Sequence, residues 1–129
     1  MLRTESPLDR FADQPTVLLS TFRRDGTPVP TPVSIVVRDG HAYFRTWHTA
    51  GKVKRLRNNP EIEIAPSTFR GRQTGSAVRG TVRLLDKAEA KPIRLLLARK
   101  YPLLQRLLVP IGHKLMRVHT LHYEVTFDA

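Results

Sequence analysis

With 129 residues and no cysteine, the chain is long enough for one real core and too short for two, and it carries no disulfide, thiolate nucleophile or cysteine-ligated metal. A net charge of +11 points to an anionic partner, either a nucleic acid or a small polyanion. No apolar run approaches the roughly 20 residues of a membrane span, and Met1-Leu-Arg-Thr-Glu-Ser-Pro lacks the apolar core of a signal peptide, so a soluble cytoplasmic protein with no membrane partner is expected.

In chain order, residues 7–14 have room for one or two helical turns before Pro15. Val17–Phe22 is β-rich, and Asp25-Gly26 marks a hairpin turn. Val33–Val37 reads as the returning strand, with Asp39-Gly40 as a second turn and His41–Trp47 as a third strand. Pro28, Pro30 and Pro32 remove donors ahead of that second strand, which makes the stretch an edge, a bulge or a ligand-facing segment. A helix is expected between an N-cap at Thr49 and a stop at Pro60, with Val53 and Leu56 on its buried face. Glu61–Ala65 alternates as a half-buried strand does, residues 71–75 form a Gly-containing loop, and Ala77–Leu85 is a fifth strand. Asp86 and Glu89 form a capping box for a helix ending near Tyr101. Leu103–Met116 reads as a second helical stretch broken near Pro110-Ile-Gly112, and His122–Phe127 closes the chain as a sixth strand. Six short antiparallel strands with a late helical insertion, at about 86–117, suggest a mainly β small barrel forming a single domain over 1–129.

The densest chemical signal is Lys52-Val-Lys54-Arg55-Leu-Arg57, four bases in six positions with no acid among them. Like charges three or four apart on a helix cost a few tenths of a kcal/mol per pair, so the cluster does nothing for the fold. A Gly and a Lys opening a helix place free N–H groups and an ammonium where a phosphate can bind. A solvated helix face is the alternative. Nine aromatic residues (one Trp, three Tyr, five Phe), mostly at strand-like positions, and the lack of a helix–turn–helix, zinc-finger or base-stacking pattern argue against a nucleic acid.

Val17-Leu-Leu-Ser-Thr-Phe, Asp25-Gly-Thr-Pro-Val-Pro-Thr-Pro32-Val33, Phe44-Arg45-Thr46, Gly51-Lys52 through Asn59-Pro60, and Ala65-Pro-Ser67 with Arg70-Gly-Arg72 and Gly75 follow one another in a specific order and spacing. From about Pro15 to Tyr101 this pattern resembles the pyridoxamine 5'-phosphate oxidase-like split-barrel proteins (PPOX class), and within them the small deazaflavin-dependent oxidoreductases. The resemblance implies a six-stranded FMN-binding-type split barrel and a homodimer with the cofactor in an interfacial groove. It implies coenzyme F420 as cofactor, with FMN as the alternative. The cofactor phosphate would lie near Arg45, Thr46, Ala50, Gly51 and Lys52, with the ring along Thr31, Pro32, Val33 and Ser34. Arg55, with Lys54 and Arg57, would receive the acidic tail. The familiar oxidases carry an Arg at the position of Thr31 and a Lys at that of Val36, which counts against FMN.

The implied reaction is hydride transfer between reduced F420 and a small unsaturated or conjugated molecule, which needs no nucleophile or metal from the protein. No catalytic residue is firmly assigned; His48 is a weak proton-donor candidate and Trp47 a pocket wall. His119 and His122 lack a third ligand nearby in sequence, so no metal is expected. Arg70, Arg72 and Arg79 either close over the ligand or face water. An FMN flavoprotein, a non-catalytic F420 or tetrapyrrole carrier and a basic nucleic-acid binder are the competing readings.

Overall fold

The computed structural model describes residues 11–68, 70–101 and 120–128. The N-terminal helical segment is seen as helical backbone at Phe11 and Ala12, with residues 7–10 outside the described residues, as is the expected helix over Leu103–Met116. Among the described residues seven strands and two helices follow: β1 (Val17–Phe22), β2 (Pro28–Val33), β3 (Ile35–Arg38), β4 (His41–Trp47), α1 (Gly51–Asn58), β5 (Glu61–Pro66), β6 (Val78–Leu84), α2 (Lys87–Lys100) and β7 (Thr120–Phe127). All pairings are antiparallel, in the order β2-β1-β5-β6-β7-β4-β3.

That order forces a curl. β2 and β3 lie at opposite ends of the sheet, yet only Ser34 separates them in the chain. The two edges must therefore approach one another, and the sheet closes into a split barrel. Both turns form as expected. Asp39 and Gly40 have φ of 50° and 81°, as a two-residue hairpin turn needs, and Gly26 has φ of 88°.

The strand count corrects the expected six. The triple-proline stretch is a strand of its own, paired with β1 from Val17↔Val33 to Phe22↔Pro28. Backbone N–H groups point alternately to the two sides of a strand, so prolines at 28, 30 and 32 all withhold donors on the same side. Val29, Thr31 and Val33 keep the donors that face β1. The outer side of this edge offers no N–H at the prolines, which protects it from further pairing.

Alternation sorts the side chains into two cores. Val17, Leu19, Val33, Ile35, Phe44, Ile62, Ile64 and Val125 fill the barrel, capped by Leu56 of α1. Phe44 stacks on Tyr123 across the β4–β7 ladder with ring centroids 5.1 Å apart. On the outer face Val36, Tyr43 and Leu85 pack against Ile93 and Leu97 of α2. Val36 is thus a core residue beneath α2, where a lysine's charge would be stranded. The capping box forms: Asp86 accepts from Glu89 N at 2.8 Å, and the Glu89 carboxylate accepts from Asp86 N at 3.1 Å. At the far end of α2, Tyr101 accepts from Ile35 N at 3.3 Å and donates to Pro15 O at 2.7 Å, while Lys100 donates to Ile35 O at 2.7 Å. This latch holds the point where the two sheet edges meet. Among the described residues no helix is long and apolar enough to cross a membrane.

Candidate functional site

Helix α1 begins one residue later than its expected cap. Residues 48 and 49 are used in a turn closed by Ala50 N donating to Trp47 O at 3.0 Å, so Ala50, not Thr49, is the N-cap. Ala50 has no side-chain acceptor and the first turn has no acid. The leading N–H groups and the positive end of the helix dipole therefore go without an internal anion. Val53 and Leu56 bury the inner face as expected.

Lys52 and Arg55 frame this end. Lys52 is half-buried; desolvation, and next the neighbouring Arg55, hold its ammonium below the usual lysine range. Among the described residues no carboxylate pairs with either. Arg55 donates from Nε to Thr21 Oγ1 at 2.6 Å. Its Nη1 lies 3.0 Å from where a Cβ on Gly51 would sit, so the guanidinium folds back along the helix against Gly51.

From Arg55 a groove of about 840 Å³ runs between α1 and the β1–β2 turn, lined by Arg23, Arg24, Lys54, Arg55, Asn58 and Asn59 together with Phe22. Four cations and no acid line it. Lys54 and Arg55 stand where the acidic tail was expected, but Arg57 does not: it lines a separate cavity of about 830 Å³ with His48, Arg94 and His122. The sequence reading missed Thr21, Arg23 and Arg24. Thr21 looks like any β-strand threonine, and the two arginines belong to a hairpin turn whose neighbour is decided by tertiary packing.

Arg45 is not brought to Lys52. It pairs in register with His122 on the outer face of the sheet, and burial lowers its guanidinium pKa, partly offset by Tyr101. His122 is buried, its Nε2 has no partner among the described residues, and burial with Arg45 and Arg94 nearby pushes its pKa down to about 4. Thr46 points inward and is buried. His48 lines the Arg57 cavity. Trp47 ends β4 opposite Thr120. On β2, Val33 is buried in the barrel, Pro32 is exposed beside Gly71, and Thr31 has a buried Oγ1 with no partner among the described residues. Ser34 links the two edge strands. Arg79 pairs with Glu63 at 3.3 Å, whereas Arg72 is exposed in the loop beside β2. His119 lies outside the described residues, among which no metal-binding cluster occurs.

A split barrel with an uncapped, cationic helix start after β4 defines the class. The profile of the pyridoxamine 5'-phosphate oxidase family matches residues 5–105, and the chain belongs to that family. No curated protein matches it in sequence. Among solved structures it is similar to an F420 reductase (TM-score 0.69, 18% identity, 98% of this chain and 97% of the other). It is also similar to HutZ, the heme storage protein from Vibrio cholerae (TM-score 0.71, 12% identity, 99% and 92%). A NimC/NimA family protein from Clostridium acetobutylicum is a third (TM-score 0.62, 19% identity, 92% and 76%). At these identities the likeness is one of fold.

Proposed function

We propose that the chain is an oxidoreductase that uses coenzyme F420 to reduce a small unsaturated or conjugated molecule. The observation that carries this reading is the set of cations that Arg55 links, Lys52 at the acid-free start of α1 on one side and the groove lined by Arg23, Arg24 and Lys54 on the other. A phosphate with an acidic tail matches both parts of that set. FMN has a phosphate and no tail, so it leaves the groove empty. Lys52 and Arg55 are half-buried without a carboxylate partner among the described residues, which is unfavourable unless a ligand supplies the counter-charge.

The residues fit such a group. Lys52, the N–H groups of Gly51 and Lys52 and the Arg55 guanidinium would hold the phosphate, beside Ala50, whose own N–H is engaged by Trp47 O. Thr31 Oγ1 offers an unused polar atom on the inward face of β2, where with Pro32, Val33 and Ser34 it would border the ring. When bound and reduced, F420 supplies a hydride. The chain's own work is to hold the ring in place and keep water out. Arg45 is paired with His122 on the outer face, Thr46 is buried in the barrel and His48 lines the Arg57 cavity, and we assign them to the site through a second subunit, whose surface would complete the groove in a homodimer.

Titration of the purified protein with oxidised F420 and, separately, with FMN tests the reading, followed by turnover of reduced F420 against a panel of enones. Tighter F420 binding with turnover is expected. FMN binding tighter than F420 would make it a flavoprotein, and F420 binding without turnover of any enone would make it a carrier.

A further inference from the structure

We propose that Thr21 is a positioning residue of this site: it turns the Arg55 guanidinium so that its two terminal nitrogens face an anion at the first turn of α1. The proposal rests on the phosphate reading above and has a test of its own. Thr21 is fully buried, at the end of an inward stripe that otherwise reads Val17 and Leu19. A hydroxyl there needs a partner, and Arg55 Nε provides it at 2.6 Å.

The consequence for Arg55 is geometric. Arg55 is four residues after Gly51, hence on the same helix face, and helical side chains lean toward the N-terminus. With Nε–H committed to Thr21, the four N–H groups of Nη1 and Nη2 remain. Nη1 is placed against Gly51, at 3.0 Å from a would-be Cβ. That edge presents parallel donors of the kind that grip two phosphate oxygens at once. Lys52 adds a point charge beside it. Gly51 keeps the space open, since a side chain there would press on the guanidinium. Thr21, Arg55 and Gly51 thus form one device built from β1 and both turns of α1. A purely structural Thr21 would satisfy its own hydroxyl and leave ligand affinity alone.

The test is calorimetric titration with inorganic phosphate at fixed ionic strength, on the full chain, with thermal melts confirming that each variant folds. Wild type binds phosphate. Thr21→Val weakens binding about three- to tenfold, while Thr21→Ser, which keeps the hydroxyl, stays within about twofold. Arg55→Ala loses more, and adding Thr21→Val to it changes nothing further. Should Thr21→Val not fold, Gly51→Ala at the exposed helix start crowds the same guanidinium and is expected to weaken phosphate similarly. Wild-type affinity in the folded Thr21→Val protein (or in Gly51→Ala if it must stand in), an undiminished Thr21→Val effect without Arg55, or no phosphate binding by wild type overturns the proposal. If phosphate binding depends on Thr21 but F420 does not bind, the cofactor reading fails and this inference stands. If F420 binds wild type and Thr21→Val equally, the reverse holds.

Discussion

Single side chains divide sharply by what their charge faces. Lys52 and Arg57 are five residues apart on α1, yet Lys52 sits at its start beside Arg55 while Arg57 opens onto a different cavity. Lys52→Ala is expected to weaken F420 binding by about 1.5–3 kcal/mol, one to two decades. Arg57→Ala should change it by about 0–1 kcal/mol. Fluorescence titration of both variants decides the point, and equal affinities for Lys52→Ala and wild type would place the phosphate elsewhere. Desolvation lowers the Lys52 pKa, so affinity should fall on the alkaline side earlier than an ordinary lysine would allow. His122 gives the opposite limb. Its pKa of about 4 in the folded chain, against 6.5 for an ordinary histidine, means the unfolded state binds the extra proton first. The stability it contributes is complete above about pH 6.5 and is lost as pH falls toward 4, at about 1.4 kcal/mol per unit of difference. Urea denaturation between pH 4 and 7 should show this slope in wild type and a shallower one in His122→Phe.

The two helices make contrasting starts, a contrast that the proposed phosphate site explains. α2 satisfies its own first turn through Asp86 and Glu89, as a helix with only a structural task does. α1 has no cap and no acid, which leaves stability unclaimed at its N-terminus. Ala50→Asp should therefore stabilise the unliganded protein by about 0.5–1 kcal/mol, through a cap and a favourable dipole contact. The same carboxylate would stand where the phosphate binds, and affinity should fall by more than about tenfold. Melting temperature and phosphate titration read the two effects separately; a gain in both would mean that the helix start is not the anion site. β2 carries a similar compromise. Its prolines permit pairing on one side only, and its inward Thr31 keeps a buried hydroxyl without a partner among the described residues.

At the scale of the whole molecule, the strand order sets closure and one side chain latches it. Tyr101 binds Ile35 on β3 and Pro15 ahead of β1, so it fastens the seam of the curled sheet. Tyr101→Phe leaves a part-buried N–H without its partner and should cost about 1–3 kcal/mol in urea denaturation; a loss below about 0.5 kcal/mol would show that β2 and β3 close without it. The proposed site draws on a second chain for Arg45, which is paired with His122 on the outer face of the sheet. Light scattering at micromolar concentration should give a homodimer, and a monomer that still binds F420 would remove the interfacial groove.

The sequence by itself determined most of the local structure and pointed to part of the proposed site. Asp-Gly pairs set the turns, alternation set the strand faces, the Asp86–Glu89 pair set one helix start, and the acid-free run from Lys52 marked the cationic helix. Each of these signals acts between residues a few positions apart. Only the tertiary structure decided that the prolines form a seventh strand, because their tolerance depends on being at an edge. It alone placed Thr21 beneath Arg55, brought Arg23 and Arg24 to the groove, and turned Arg57 and Arg45 away. Those contacts join residues far apart in the chain, and which of them meet is set by how far the sheet curls before its edges touch.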